Sequence, residues 1–197
     1  GAHETAAQIQ VFVGLAGGLV IESWGTQTQL WTYFTLERPP LWIIPAWPIA
    51  SLSIDRLYRY LALIFDATRE NREGAKNAKT KHESLSALRA FAVNFFGRRF
   101  FRLSYWLLFP IFYALMLLFV WPTLDKSLTI GALLLCALLI LTPTDHRAAV
   151  LTFAAGAGLG YFLELWGTTR ECWTYYTRET PPFFAVLAHG MAAVAFW

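Results

Sequence analysis

"ESWGTQTQLWTYFTLERPP", residues 22–40, returns later in the chain as "ELWGTTRECWTYYTRETPP", residues 164–182. The copies stand 142 residues apart, align without a gap and agree at eleven of nineteen positions. Upstream, Gly14 and Gly18 match Gly156 and Gly160 in the same register. An internal repeat on this scale fixes the architecture before anything else does. It also asks what one chain gains from two copies of the same aromatic, acidic stretch.

Composition answers the first part. The 197 residues are 56% hydrophobic and 17% aromatic, with only 15% charged. A soluble domain is usually about 45–50% apolar and about 25% charged, so the balance points to a membrane protein. Six apolar segments have the length of a bilayer crossing or approach it: about Ala7–Glu22, Leu41–Ile64, Leu103–Trp121, Leu128–Leu141, Ala148–Leu165 and Phe183–Trp197. The expected fold is therefore all-α, a polytopic membrane helical bundle with six helices. Pro39-Pro40 and Pro181-Pro182 suit the start of the following helix, where a missing N–H costs nothing. Pro45 and Pro48 in "IIPAWP" predict a distorted first turn for the second helix.

Charge sets the orientation. Eleven of the sixteen Lys and Arg residues fall between Arg56 and Arg102, and Arg147 belongs to the same side. By the positive-inside rule this stretch is cytoplasmic, which puts both motif copies on the opposite face of an inner or plasma membrane. Within it, Ser84–Phe96 reads as an amphipathic helix on the membrane surface. Basic residues that flank spans are a topology signal, so no nucleic-acid partner is expected. Cys136 and Cys172 are far apart and form no metal or redox motif.

Four helices separate equivalent points of the repeat. An even number makes the copies parallel, related by an axis along the membrane normal, in a three-plus-one-plus-three plan with the fourth helix as linker. Residues 1–65 then hold the first two helices and 66–102 the basic loop. The third helix is 103–121 and the linker 128–141. Residues 148–197 are the second repeat, in which a seventh helix matching the third is absent. Parallel copies would bring both motifs to one face around one pseudo-two-fold axis, where they can build a single site.

Three acids lie inside the predicted spans. Asp55 has Arg59 at i+4, the spacing of a helical ion pair. Glu22 and Glu164 have no such partner. Each falls near the C-terminal end of its helix, where the macrodipole disfavours an anion. A carboxyl at that depth, next to a second one, can hold a proton ready for transfer. The plainer alternative is that each carboxyl takes hydrogen bonds from Thr26, Thr168 or backbone amides and pins its own loop. Trp24, Thr26, Trp31, Tyr33, Trp47, Trp166, Thr168, Trp173 and Tyr175 would line the site and bind substrate, or the aromatic ones would form a membrane-interface belt. Aromatic faces beside an acid can also stabilise a developing carbocation. His189 stands where the first copy has Trp47, as a proton carrier, a ligand or a packing group. On this asymmetry Glu22 is expected as the acid and Glu164 as the base. No HExxH, P-loop, GxSxG or Asp-rich prenyltransferase motif is present, and neither a metal nor a cofactor is expected.

The stretch "ESWGTQTQLWTYFT", followed by "PPLWIIPAW", resembles the motif region of membrane-embedded carotenoid hydratases. Those have a Glu-x-x-Gly-Thr element, a Tyr-containing loop and an Ile-Pro-x-x-Trp-like helix start. Trp31-Thr32-Tyr33 also resembles the Trp-x-Tyr element of small membrane lycopene cyclases, whose Pro-x-Glu-Glu element this chain does not contain. The resemblance covers about forty residues per copy. It implies protonation of an isoprenoid alkene by a carboxylic acid, carried by Glu22 and Glu164, with hydration, cyclisation or isomerisation as the outcome. Expected partners are a membrane lipid or an apolar isoprenoid. A homo-oligomer, or a place as a non-catalytic subunit of a larger membrane complex, stays open. A small-solute transporter is the remaining alternative, although carriers of the same helix plan use repeated Pro-Gln pairs and no Pro-Gln occurs here.

Overall fold

The computed structural model describes residues 2–77 and 83–196, with side chains over 8–66 and 97–196. It is mostly helical: α1 Ala2–Gln27, α2 Ala46–Asn77, α3 Glu83–Val120, α4 Ser127–Leu141, α5 His146–Thr169 and α6 Phe183–Phe196. Six helices were expected and six are described. Three of them, over Gln8–Gln27, Gly97–Thr123 and His146–Thr169, are long and apolar enough to cross a membrane. α4 and α6 are apolar but shorter, and α2 carries Asp55, Arg56 and Arg59 in its first half.

Two boundaries differ from the sequence reading. α2 runs on past Ile64 to Asn77, because no Pro or Gly intervenes to stop it until Gly74. Ser84–Phe96 is the backbone of the first part of a continuous α3, since the single Gly97 leaves every N–H of the ladder in place and lowers propensity only modestly. Residues 78–82, inside the basic stretch, lie outside the described residues, as do the side chains of Ser84–Phe96.

The sequence reading also contained no strand. Trp31–Tyr33 (β1) and Trp173–Tyr175 (β2) form a two-stranded antiparallel ribbon, with Trp31 opposite Tyr175, Thr32 opposite Thr174 and Tyr33 opposite Trp173. Trp, Thr and Tyr favour extended backbone, and each three-residue strand finds its partner in the other copy of its own motif. The flanking bonds Phe34 N–H to Cys172 C=O (3.1 Å) and Tyr176 N–H to Leu30 C=O (3.0 Å) extend the pairing at both ends. Gln29 and Glu171, then Leu36 and Arg178, hold the same left-handed φ of 56–63° at matching positions.

α1 and α5 both end at the ribbon. At the far end of the bundle, Arg147 at the start of α5 pairs with Asp66 of α2 at 2.7 Å. The motif copies and the start of the basic stretch at Asp66 thus lie at opposite ends of the described bundle. The expected Asp55–Arg59 pair forms at 2.9 Å, and both cysteines are free. α5 starts on Asp145, whose carboxylate caps the N–H groups of Arg147 and Ala148, and the His146 ring lies edge-on to Tyr105 rather than free in solvent. The distorted start of α2 is present: residues 41–45 make successive i→i−3 turns, such as Ile43 N–H to Pro40 C=O, before the helix begins at Ala46. The second copy, with Leu187 in place of Pro45, goes straight from Pro182 into α6.

A core of aromatic residues on α3 (Tyr105, Phe109, Phe112, Phe119) packs against Phe153 of α5, Phe184 of α6 and the buried face of α4. The repeated glycines have a separate role. A Cβ on Gly25 would stand 1.8 Å from the Trp31 ring, and one on Gly167 2.0 Å from the Trp173 ring. Each indole therefore lies flat on the helix that precedes it, and only hydrogen fits beneath. Gly25→Ala and Gly167→Ala should each destabilise the protein by about 1–3 kcal/mol, the usual cost of forced overpacking. Gly158→Ala, with open space around it, should not. Thermal unfolding in detergent compares the three.

Candidate functional site

Glu22 lies one and a half turns before the end of α1, and Glu164 holds the same place in α5. Both are almost completely buried, at 4% and 3% exposure. A buried carboxyl without partners is very costly, and the partners come from the ribbon. Trp31 Nε1 and Tyr33 Oη donate to Glu22 Oε2 at 3.1 and 2.9 Å. Trp173 Nε1 donates to Glu164 Oε2 at 2.9 Å, and Tyr175 Oη to Glu164 Oε1 at 2.8 Å. The spacing explains the geometry: the Trp at i+9 and the Tyr at i+11 lie beyond the helix end, and the chain must fold back to bring them to the acid.

The third partner is where the copies differ. Trp47 Nε1 donates to Glu22 Oε1 at 3.2 Å, whereas His189 Nε2 lies 2.9 Å from Glu164 Oε1. Trp47 and His189 face each other, their rings 6.0 Å apart and 19° from parallel. They join the two carboxyl clusters across the middle of the bundle. Each has a glycine beneath it: a Cβ on Gly18 would meet Trp47 at 2.3 Å, and one on Gly160 would meet His189 at 2.5 Å. The ribbon adds crossed aromatic contacts, Trp31 with Tyr175 at 5.8 Å and Tyr33 with Trp173 at 5.9 Å.

Both carboxyls open on one cavity of about 780 Å³, within the range of small-molecule sites. Trp24, Trp31, Tyr33, Trp47, Trp173, Tyr175 and His189 also reach its wall. Three residues expected in the site do not. Thr26 and Thr168 turn back to the main chain, each donating to the carbonyl of its own Glu four residues earlier at 2.6 Å. Their hydroxyls therefore satisfy the backbone, and the aromatic N–H and O–H groups hold the carboxyls. Trp166 is 54% exposed with the Arg170 guanidinium over its ring at 5.8 Å. Its counterpart Trp24 instead donates to Thr129 of α4 at 3.1 Å. The reason is that α4 packs beside α1, and among the described residues no equivalent helix packs against Trp166.

The sequence reading missed the opposite wall of the cavity, made by Phe112, Met116 and Phe119 of α3 and by Ser127, Gly131 and Leu135 of α4, among others. α4 is apolar on every side, so its pattern marks no face. Only Ser127, Thr129 and Gly131 interrupt it. Among the described residues no group of three His, Cys, Asp or Glu side chains comes together.

The two ribbon phenols are held neutral. Burial pushes Tyr33 and Tyr175 far above the ordinary tyrosine range, and the neighbouring Glu22 and Glu164 carboxyls push in the same direction. A raised phenol keeps its full contribution to stability below about pH 10, the unfolded value, and loses it as pH rises beyond that. Tyr33→Phe should therefore leave the phenolate absorbance of the folded protein at about pH 11 unchanged, and lower it after denaturation.

No protein-family description, curated protein or solved structure matches the chain.

Proposed function

We propose that this is a multi-pass membrane protein built of two parallel repeats about an axis normal to the bilayer, and that it acts on an apolar isoprenoid-type lipid by carboxylic acid and base chemistry. The observation that carries the reading is the convergence of two buried carboxyls, one from each motif copy, on a single cavity walled by aromatic and aliphatic side chains. In the proposed reaction the carboxyl of Glu22 gives its proton to one alkene carbon. The π pair forms the new C–H bond, and the adjacent carbon becomes a carbocation facing the rings of Trp31 and Trp173. Water then forms a C–O bond and releases its surplus proton to the Glu164 carboxylate, giving a tertiary alcohol. Loss of a proton from a neighbouring carbon instead gives an isomer. Attack by an internal alkene closes a ring and moves the cation, which then loses a proton to the Glu164 carboxylate.

The topology that goes with this reading places the ribbon on one side of the membrane and the basic stretch in the cytoplasm. α3, with 38 residues, is about 57 Å long at 1.5 Å per residue, so its first half lies outside a hydrocarbon core of about 30 Å. Single cysteines at Thr35 and Thr144, exposed at the two ends, should label from opposite sides of sealed vesicles. Labelling from the same side would contradict the arrangement.

One feature favours a second reading, a structural subunit: each carboxyl already takes three side-chain hydrogen bonds. A Gln at either position would replace one accepting oxygen with a donating amide against an indole or phenol donor. Loss of activity in Glu22→Gln therefore needs a matched control. Tyr33→Phe removes one bond to the same carboxyl and keeps the acid, at a cost of about 1.5–3 kcal/mol. Mass spectrometry of lipid extracts from expressing cells is expected to show a product with wild type and with Tyr33→Phe, and none with Glu22→Gln or Glu164→Gln. If all three variants lose product in step with their lost stability, the carboxyls are pins, and if wild type gives no product the subunit reading stands.

A further inference from the structure

The cavity has a direction. Seven residues of α4 line it, from Ser127 through Leu128, Gly131 and Leu135 to Leu139, a stripe of about 18 Å at 1.5 Å per residue. Its mouth is lateral. Val20 of α1 and Leu128 and Leu135 of α4 belong to the lining, yet they are 62%, 48% and 54% exposed. They face outward between the two helices, where the reading above puts lipid. At the ribbon end the gap is latched by the Trp24–Thr129 hydrogen bond. Its polar lining there is Ser23, Gln27 and Ser127, all neutral. Lys126 beside them is already paired with Asp125 at 2.7 Å. Towards Leu139 the α4 stripe is apolar throughout. Gly131 follows the latch by half a turn, and Glu22 precedes it by half a turn on the facing helix, so both stand at similar depth below the polar end.

Resting on the proposed function above, we infer that the cavity takes one single-chain isoprenoid alcohol or its carbonyl equivalent, entering sideways between α1 and α4. Its neutral polar end bonds Gln27 and Ser127, its chain lies along α4, and the first part of the chain beyond the head passes between Gly131 and Glu22. A phosphate head does not fit, because among the described residues no unpaired Lys or Arg lines the polar end.

Gly131 gives the test. A Cβ there meets no atom within 4 Å, so Gly131→Phe starts from open space and extends its ring into the groove. Gly158, equally open, stands on the outer face of α5 and outside the lining, and Gly158→Phe is the control. The probe is retinol, titrated into the protein in phosphatidylcholine nanodiscs and read by energy transfer from the cavity tryptophans. Saturable transfer is expected for wild type and Gly158→Phe, with equal thermal stability for all three proteins. Affinity should fall at least tenfold in Gly131→Phe, and about fivefold in Gln27→Ala, the loss of one hydrogen bond. Geranylgeraniol should displace the probe, and phosphatidic acid should not. No saturable transfer in wild type, undiminished transfer in Gly131→Phe, an equal loss in both phenylalanine variants, or displacement by phosphatidic acid alone would overturn the inference. Normal retinol binding by a protein that yields no lipid product would leave it standing and remove the acid–base reading instead.

Discussion

A carboxyl buried near the end of a helix, away from water, must find donors or it will not stay. That constraint organises the molecule. Glu22 and Glu164 draw in a tryptophan and a tyrosine from the chain that follows, and this folds each motif back over its own helix. The indole then has to lie on the helix surface, which requires glycine at Gly25 and Gly167. Once folded back, each Trp-Thr-Tyr triplet is short, extended and unpaired on one edge, and the other copy supplies the missing strand. The aromatic rings that satisfy one carboxyl thus pack against those that satisfy the other. The sentence is written twice because each copy completes the other.

The two halves are alike in their scaffold and unlike where ligand would meet protein. Trp47 gives Glu22 an N–H donor that cannot accept or release a proton at ordinary pH. His189 gives Glu164 a ring nitrogen whose donor or acceptor role depends on the tautomer. α3 and α4 cover one side of the pair only, so Trp24 is tied to α4 while Trp166 remains outside. The cavity bounded by both carboxyls has outward-facing lining residues on α1 and α4, Val20, Leu128 and Leu135 among them.

Much of this was legible in the sequence, because the repeat carries it. Gapless identity over Glu22–Pro40 and Glu164–Pro182 pointed to both acids, both Trp–Tyr pairs and the Trp47/His189 asymmetry. The paired glycines signalled close approach without saying to what. Less legible was anything set by contacts distant in sequence. Trp-Thr-Tyr triplets are too short to announce strands, and their partner lies 142 residues away. Thr26 and Thr168 looked like carboxyl donors because they sit four residues on, yet at that spacing a helical threonine reaches the backbone carbonyl first. Trp24 and Trp166 are identical in the motif and opposite in environment, since only one has α4 beside it. α4 itself, apolar on every side, gave no hint of which face it turns to the cavity.

The claim on which the rest stands is that the two motif copies meet in one ribbon within one chain. A protein carrying Thr32→Cys and Thr174→Cys, with Cys136 and Cys172 replaced by serine, tests it by oxidative cross-linking and mass spectrometry of the linked peptides. Thr32 and Thr174 are opposite each other in the ribbon and both exposed. The account predicts an efficient cross-link within single chains, and none when the second cysteine is moved from Thr174 to Thr144 at the other end of the bundle. Cross-links found only between chains, or equal yields for the two pairs, would contradict it.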